Sequence, residues 1–272
     1  MTIPLVVGVD GSEASLEAVD WAAGEAARHG VPLHLLHAAA PDDEGTEVIR
    51  AASERAGDAA PGVRLTSEVR HGDAAAALVG TAHDAFALVL GSRGLGDLTG
   101  LLLGSVGLAV AARADCPVVV VRGAAEHRGS RFGSVVVGVE DGEGSRTAVD
   151  FAFREAHVRR CRLVAVHAWT VPVGSPLPPG LSGFALQALQ RPPAQVLAEA
   201  LHDPAERYQG VPVTSEAVEG SARRALLRAA AGADLLVVGA RRRQGHIGLQ
   251  LGLVNHAVLH HAPCPIAVVP RT

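Results

Sequence analysis

The pattern of apolar and polar positions alternates between two kinds of segment. Residues 3–9 are a short apolar run that stops at Asp10-Gly11-Ser12, and a helical pattern follows from Glu13 to His29. Ser12 or Asp10 can serve as its N-cap, because a short side-chain oxygen can accept from a free first-turn N–H. Gly30 can end it in a left-handed turn. Val31–Ala39 and Val63–Val69 read as strands, Asp73–His83 as a helix capped by Asp73, and Phe86–Leu90 as a strand. Gly104–Ala114 reads as a helix and Pro117–Val121 as a strand; no element is assigned between Ala39 and Val63. Continuous Val-rich runs separated by helical patterns predict a parallel sheet covered on both faces, an α/β, doubly wound domain of five strands. Ligands of such sheets bind beyond the carboxyl ends of the strands.

The pattern then repeats. VVGVDGS at 6–12 returns as VVGVEDG at 136–142, AVDWA at 18–22 as AVDFA at 148–152, and LLHA at 35–38 as AVHA at 165–168. These pairs share one offset (136 − 6 = 148 − 18 = 130). SEVRHG at 67–72 matches SEAVEG at 215–220, LVLGSR at 88–93 matches LVVGAR at 236–241, and DCPVVVVR at 115–122 matches PCPIAVVP at 263–270. Here the offset is 215 − 67 = 148, so the second copy carries an insertion of 148 − 130 = 18 residues, placed in the Pro/Gly-rich stretch at 171–180. Two tandem doubly wound five-stranded parallel-sheet domains are expected, 1–125 and 131–272, joined near Arg122–Arg131.

Composition narrows the chemistry. Of 272 residues, 48% are hydrophobic and 19% charged, enough apolar material to exclude a disordered chain. Aromatics are only 3% and the formal charge is −4, which leaves few stacking platforms and no basic surface for a nucleic acid. All 24 basic residues counted as Lys or Arg are Arg. A P-loop lysine and a Schiff-base nucleophile are thereby excluded. The three Cys make no disulfide framework and read as small buried hydrophobes in a reducing compartment. The longest apolar-rich stretch, 101–112, is too short to span a bilayer, so a cytoplasmic protein with no membrane association is expected.

Residues 91–105 read GSRGLGDLTGLLLGS and connect a strand to a helix. Glycines here let backbone N–H groups approach phosphate oxygens without a Cβ in the way. Gly104-Ser105 opens a helix whose free N–H groups and dipole favour an anion, and Ser105 adds a hydroxyl donor. Arg93 is either a phosphate partner or a solvated loop side chain. Asp10, at a strand's carboxyl end, can accept ribose hydroxyl protons, cap the helix, or do both.

The spacing Gly91-x2-Gly94-x9-Gly104-Ser105, with GVDGS, LLHA and CPVVVVR, resembles the universal stress protein family across nearly the whole chain. The resemblance implies a Rossmann-like, nucleotide-binding α-hydrolase type of fold and ATP, with Mg, as ligand. It implies that Gly8, Val9 and Asp10 border the nucleoside and that Ala38 lines the adenine pocket. Leu90 and Gly91 would lie under the ribose, while Arg93, Gly94, Gly104, Ser105 and Val106 would hold the triphosphate. Gly107 stands where the family often has Ser or Thr, which removes one phosphate hydroxyl. Dimers in the family form through terminal strands, which implies an intramolecular pseudo-dimer of the two copies here, with a homodimer of chains as a further expectation.

The second copy departs from the motif. In GARRRQGHIGLQLGL at 239–253, Arg242 replaces the middle glycine, Leu253 the serine, and Glu140 stands for Asp10. No ordinary ATP binding is expected there; the alternative is an anion held by Arg241, Arg242 and Arg243. His256 and His260 have i, i+4 ligand spacing, but no nearby Asp, Glu or Cys completes a metal set, and a surface or packing role is expected. No G-x-S-x-G elbow or paired-carboxylate spacing argues for catalysis. The leading reading is an ATP-binding stress-response protein whose nucleotide occupancy signals to an unidentified protein partner or to assembly, with little or no turnover. The alternatives are a slow Mg-dependent ATPase or phosphotransferase, with Asp10 or Asp97 placing metal or water, and a scaffold that binds no nucleotide.

Overall fold

A computed structural model describes residues 3–94, 103–170, 191–240 and 251–271. The first half runs β1 (Leu5–Val9), α1 (Glu13–His29), β2 (Leu33–Ala39), α2 (Thr46–Ala59), β3 (Leu65–His71), α3 (Ala74–Thr81), β4 (Ala87–Gly91), α4 (Ser105–Arg113) and β5 (Val118–Val121). A one-turn helix, α5 (Ala125–Arg128), leads into the second half. There β6 (Ser134–Gly138), α6 (Arg146–Arg159), β7 (Arg162–Trp169), α7 (Pro193–Arg207), β8 (Val213–Glu219), α8 (Ala222–Ala230), β9 (Leu235–Ala240), α9 (Leu253–His261) and β10 (Ile266–Pro270) repeat the order.

Local chemistry sets the ends of these elements. The Ser12 hydroxyl accepts from the Ser15 N–H at 3.2 Å, and Gly30 ends α1 at φ +63°. Asp73 caps α3 by accepting from the Ala76 N–H at 2.7 Å. The helix α2 lies in the stretch to which the sequence pattern assigns no element. Its N-cap is Gly45 at φ +63°, without a side-chain cap, and it buries only Ala52 and Ala56 fully. No start signal marks it, and its bulkier Val48 and Ile49 are only partly buried.

All ten strands form one sheet in the order β3-β2-β1-β4-β5-β10-β9-β6-β7-β8. Every pairing is parallel except that of β5 with β10, where Val120 lies opposite Ile266. The chain therefore has an α/β fold of two doubly wound halves whose last strands join antiparallel and cover each other's edges. Side chains alternate across the sheet. Val119 and Val121 face the layer holding α1, α2, α6 and α7, while Val118 and Val120 face the layer holding α3, α4, α8 and α9. Neither outer strand has a fully buried residue: β3 is partly buried and β8 largely exposed.

Across the junction α1 meets α6 through two crossed contacts between acidic and basic side chains. Arg159 donates to Glu25 at 2.7 Å, and His29 Nε2 lies 3.1 Å from Glu155. The repeat offset relates them, since 25 + 130 = 155 and 29 + 130 = 159, so each acidic position of one copy meets the basic position of the other. Arg159 and both glutamates are buried. Burial pushes the Glu25 carboxyl above the ordinary carboxylate range, while His29 and Arg159 hold Glu155 below it.

Candidate functional site

The cavity of interest lies at the carboxyl ends of β1 and β4. It has a volume of about 300 Å³ and is lined by all eleven residues named from the motif: Gly8, Val9, Asp10, Ala38, Leu90, Gly91, Arg93, Gly94, Gly104, Ser105 and Val106. Four different elements and their loops bring them together. Asp10 Oδ1 accepts from the Ser12 N–H at 3.0 Å and from the Ser12 hydroxyl at 2.6 Å, which fixes the carboxylate over the start of α1. Asp10 is therefore not the N-cap of α1; Ser12 is. That leaves the carboxylate at the cavity wall.

The glycines have separable reasons. A Cβ on Gly94 would stand 2.5 Å from Asp10 Oδ2, so any side chain at this position displaces the carboxylate. A Cβ on Gly91 would stand 2.5 Å from the Ala14 carbonyl oxygen, so this glycine lets α1 pack against the end of β4. Gly104 is the N-cap of α4 and brings no side chain to cap it. Its own N–H donates to the Ser92 carbonyl at 3.0 Å, and its carbonyl accepts from Leu108, which leaves the first-turn N–H groups of Ser105, Val106 and Gly107 outside the intrahelical ladder. This end of α4 borders the cavity and favours an anion.

The cavity also takes in Ser15, Leu36, Ala74, Leu78 and Gly107, which the motif did not name. Leu36 and Leu90 point into the same layer as Leu78 of α3 and give the cavity an apolar wall. The alternation of β2 was the available signal for Leu36. Nothing local in the sequence says that α3 crosses over β1. Asp97 and the rest of residues 95–102 lie outside the described residues.

His37 and His167 have matched roles: each Nδ1 contacts the main-chain oxygen ending the first strand of its half, Val9 at 2.7 Å and Val139 at 2.9 Å. They are structural, as their equivalent positions suggest. Cys116 and Cys264 are buried, and burial raises their thiols to about 11 and about 12, so neither is a thiolate near neutral pH.

In the second half, Leu253 stands at the start of α9 where α4 has Ser105, and it is 91% exposed. Glu140, the counterpart of Asp10, pairs with Arg271 at 2.7 Å. Arg271 in turn lies against Gly144. Arg241, Arg242 and Arg243 lie outside the described residues. A larger cleft of about 660 Å³ opens beside α6 and α7, floored by Phe86, Phe151 and Pro270. Of its four arginines, Arg191 and Arg207 are paired with Asp141 and Asp150, and Arg154 lies over the rings of Phe86 and Phe151. The smaller cavity is the better candidate because it combines a carboxylate, an uncapped helix end and an apolar wall.

No described helix is long and apolar enough to cross a membrane. The family model described as "Universal stress protein family" matches residues 1–122 and 131–270. Universal stress protein Rv2005c of Mycobacterium tuberculosis is 35% identical over 290 residues, covering 98% of this chain and 97% of that protein. Universal stress protein Rv2623 of the same organism is 34% identical over 295 residues, covering 98% and 96%. The crystal structure of a universal stress protein from Archaeoglobus fulgidus shares the fold across 100% of both chains, with a TM-score of 0.75 and 19% identity. The chain therefore belongs to the universal stress protein family, matching it twice in succession along its length.

Proposed function

We propose that the first unit, residues 1–125, binds ATP as its Mg complex in the 300 Å³ cavity, and that occupancy, not turnover, is the output. The carrying observation is the convergence of Gly91, Gly94, Gly104 and Ser105 of the motif on one cavity with an uncapped α4 N-terminus. The residues fit the parts of a nucleotide. Leu36, Leu78 and Leu90 offer an apolar wall to the base, Asp10 an acceptor to the ribose hydroxyls, and the start of α4 its N–H groups to phosphate. Arg93 supplies the positive charge that no lysine can.

Little or no hydrolysis is expected. Asp10 is the single carboxylate among the described residues lining the cavity, and Ser12 already holds one of its oxygens. The second unit, residues 131–272, does not bind ATP in the same way, because Leu253 offers no donor where Ser105 does.

Calorimetric titration of nucleotide-free protein with Mg-ATP tests this reading. One site per chain, abolished by Gly104→Arg, is the expected result. Two sites would show that the second unit binds by other chemistry. Absence of binding at millimolar ATP would leave a scaffold. A turnover above about 1 s⁻¹ that Asp10→Ala abolishes would establish the enzyme reading instead.

A further inference from the structure

We propose that the anion end of this site is completed by the second half of the chain: Arg122 and His260 form a subsite, across the β5–β10 junction, for the outer phosphates of a polyphosphate ligand. The proposal rests on the nucleotide reading for the ligand's identity but on separate residues for its chemistry.

Strands β4 and β5 are parallel, and Gly91 lies beside Val121. Arg122 is the next residue, so it leaves the sheet alongside Ser92 and Arg93, where the glycine loop begins. By strand alternation its side chain follows Val118 and Val120 into the α4 and α9 layer, the same layer as Leu90 and the cavity wall. There the guanidinium donates to the main-chain oxygen of Leu259 in the last turn of α9. Its Nε is buried without a hydrogen-bond partner, and no carboxylate among the described residues pairs with it. Arg122 is half-buried, with a main-chain oxygen and, among the described residues, no carboxylate against its guanidinium.

Its neighbours are also cationic or able to become so. Burial, and after it the like charge of Arg93, lowers the Arg122 pKa. His260 stacks at 6.3 Å from His256 and lies 6.3 Å from His261 in ring centroids. Burial and then the charges of His256, His261 and Arg122 lower the His260 pKa. Arg122 thus stands between the loop after β4, whose first residues follow Gly91 alongside it, and the end of α9, where it meets the main chain one residue before His260. An anion there relieves the repulsion among these groups.

The repeat provides an internal comparison. At the offset of 148, Arg122 corresponds to Pro270, His256 to Leu108, His260 to Ala112, and His261 to Arg113. Among the described residues, the opposite end of the junction has no histidine at these positions; its cations are Arg113 and Arg271, and Arg271 is paired with Glu140.

The test is calorimetric titration of the full chain with Mg-ATP, AMP, adenosine and inorganic tripolyphosphate, for wild type, Arg122→Gln and His260→Gln. His260→Gln changes a partly exposed helix position and preserves the main-chain contact at Leu259. We expect Arg122→Gln to weaken ATP and tripolyphosphate about tenfold, the effect of one charge-assisted contact, with adenosine unchanged; His260→Gln should weaken them at about pH 6, where a bound polyphosphate draws a proton onto the imidazole, and little at about pH 8. Between about pH 6 and pH 8, wild type should lose more ATP affinity than His260→Gln, a difference from which the titration of phosphate itself cancels. Equal ATP and adenosine affinities in wild type would overturn the subsite and leave the nucleotide reading standing. So would variants that, at about pH 6, weaken both ligands alike, or neither. Tripolyphosphate binding that both substitutions weaken, with no binding of any nucleoside or nucleotide, would support the subsite and overturn the nucleotide reading.

Discussion

Asp10 and Gly94 constrain one another. Two donors from Ser12 fix one carboxylate oxygen, and the other leaves no room for a Cβ at position 94. Gly94→Ala should therefore turn the carboxylate away and weaken Mg-ATP by about tenfold, as expected for a lost charged hydrogen bond, with little change in melting temperature. Titration calorimetry with parallel thermal melts checks this. The cysteines give a second test at this scale. With Cys116 and Cys264 buried and held protonated to about 11 and about 12, a thiol reagent at pH near 8 should label neither in the native state. Cys161 is partly exposed and should react slowly, and all three should react after unfolding. Both the glycine motif and Asp10 were legible because their spacing is local. The packing reason for Gly94 was not, since Asp10 is 84 residues away (94 − 10 = 84).

At the scale of elements, α1 begins where Ser12 accepts from Ser15 and simultaneously holds Asp10. Ser12→Ala should cost about 1 kcal/mol in a denaturant melt, the usual value of a lost N-cap. It should also weaken Mg-ATP, because the same hydroxyl positions the carboxylate; a stability loss with unchanged affinity would separate the two roles. The helices α1, α3 and α4 were readable because each announces itself with a cap or a glycine boundary. Helix α2 was not: Gly45 supplies no capping side chain, and the residues it buries fully are the small Ala52 and Ala56, with Val48 and Ile49 only partly buried. Its existence is decided by the need of a parallel β2–β3 pair for a crossover connection.

At the scale of the whole molecule, the β5–β10 pair and the α1–α6 contacts hold the halves together. Gly123 sits at the junction with φ +87°, and a Cβ there would fall 1.8 Å from the Pro263 carbonyl oxygen. Gly123→Ala combines backbone strain with a main-chain overlap and should destabilise the chain by about 2 kcal/mol or more. Arg159→Ala removes the guanidinium that lies between Glu25 and Glu155, leaves Glu25 with Arg28, and should cost about 1–3 kcal/mol. Chemical denaturation reads both. A transition that splits into two on either substitution would show that this junction is what makes the halves unfold together.

The sequence by itself determined the α/β class and the duplication, because these depend on local spacing and on a repeat that compares the chain with itself, and the eleven cavity residues came through the resemblance that the glycine spacing carries. Only the tertiary structure decided what depends on layers. It set which leucines wall the cavity, that Ser12 and not Asp10 caps α1, and how the crossed glutamates pair. It also brought the end of α9 to the end of β5. Arg122 and His260 are 138 residues apart (260 − 122 = 138) and share no periodic pattern. They approach because two terminal strands pair antiparallel, which places the last turn of one half's helix beside the carboxyl edge of the other half's sheet.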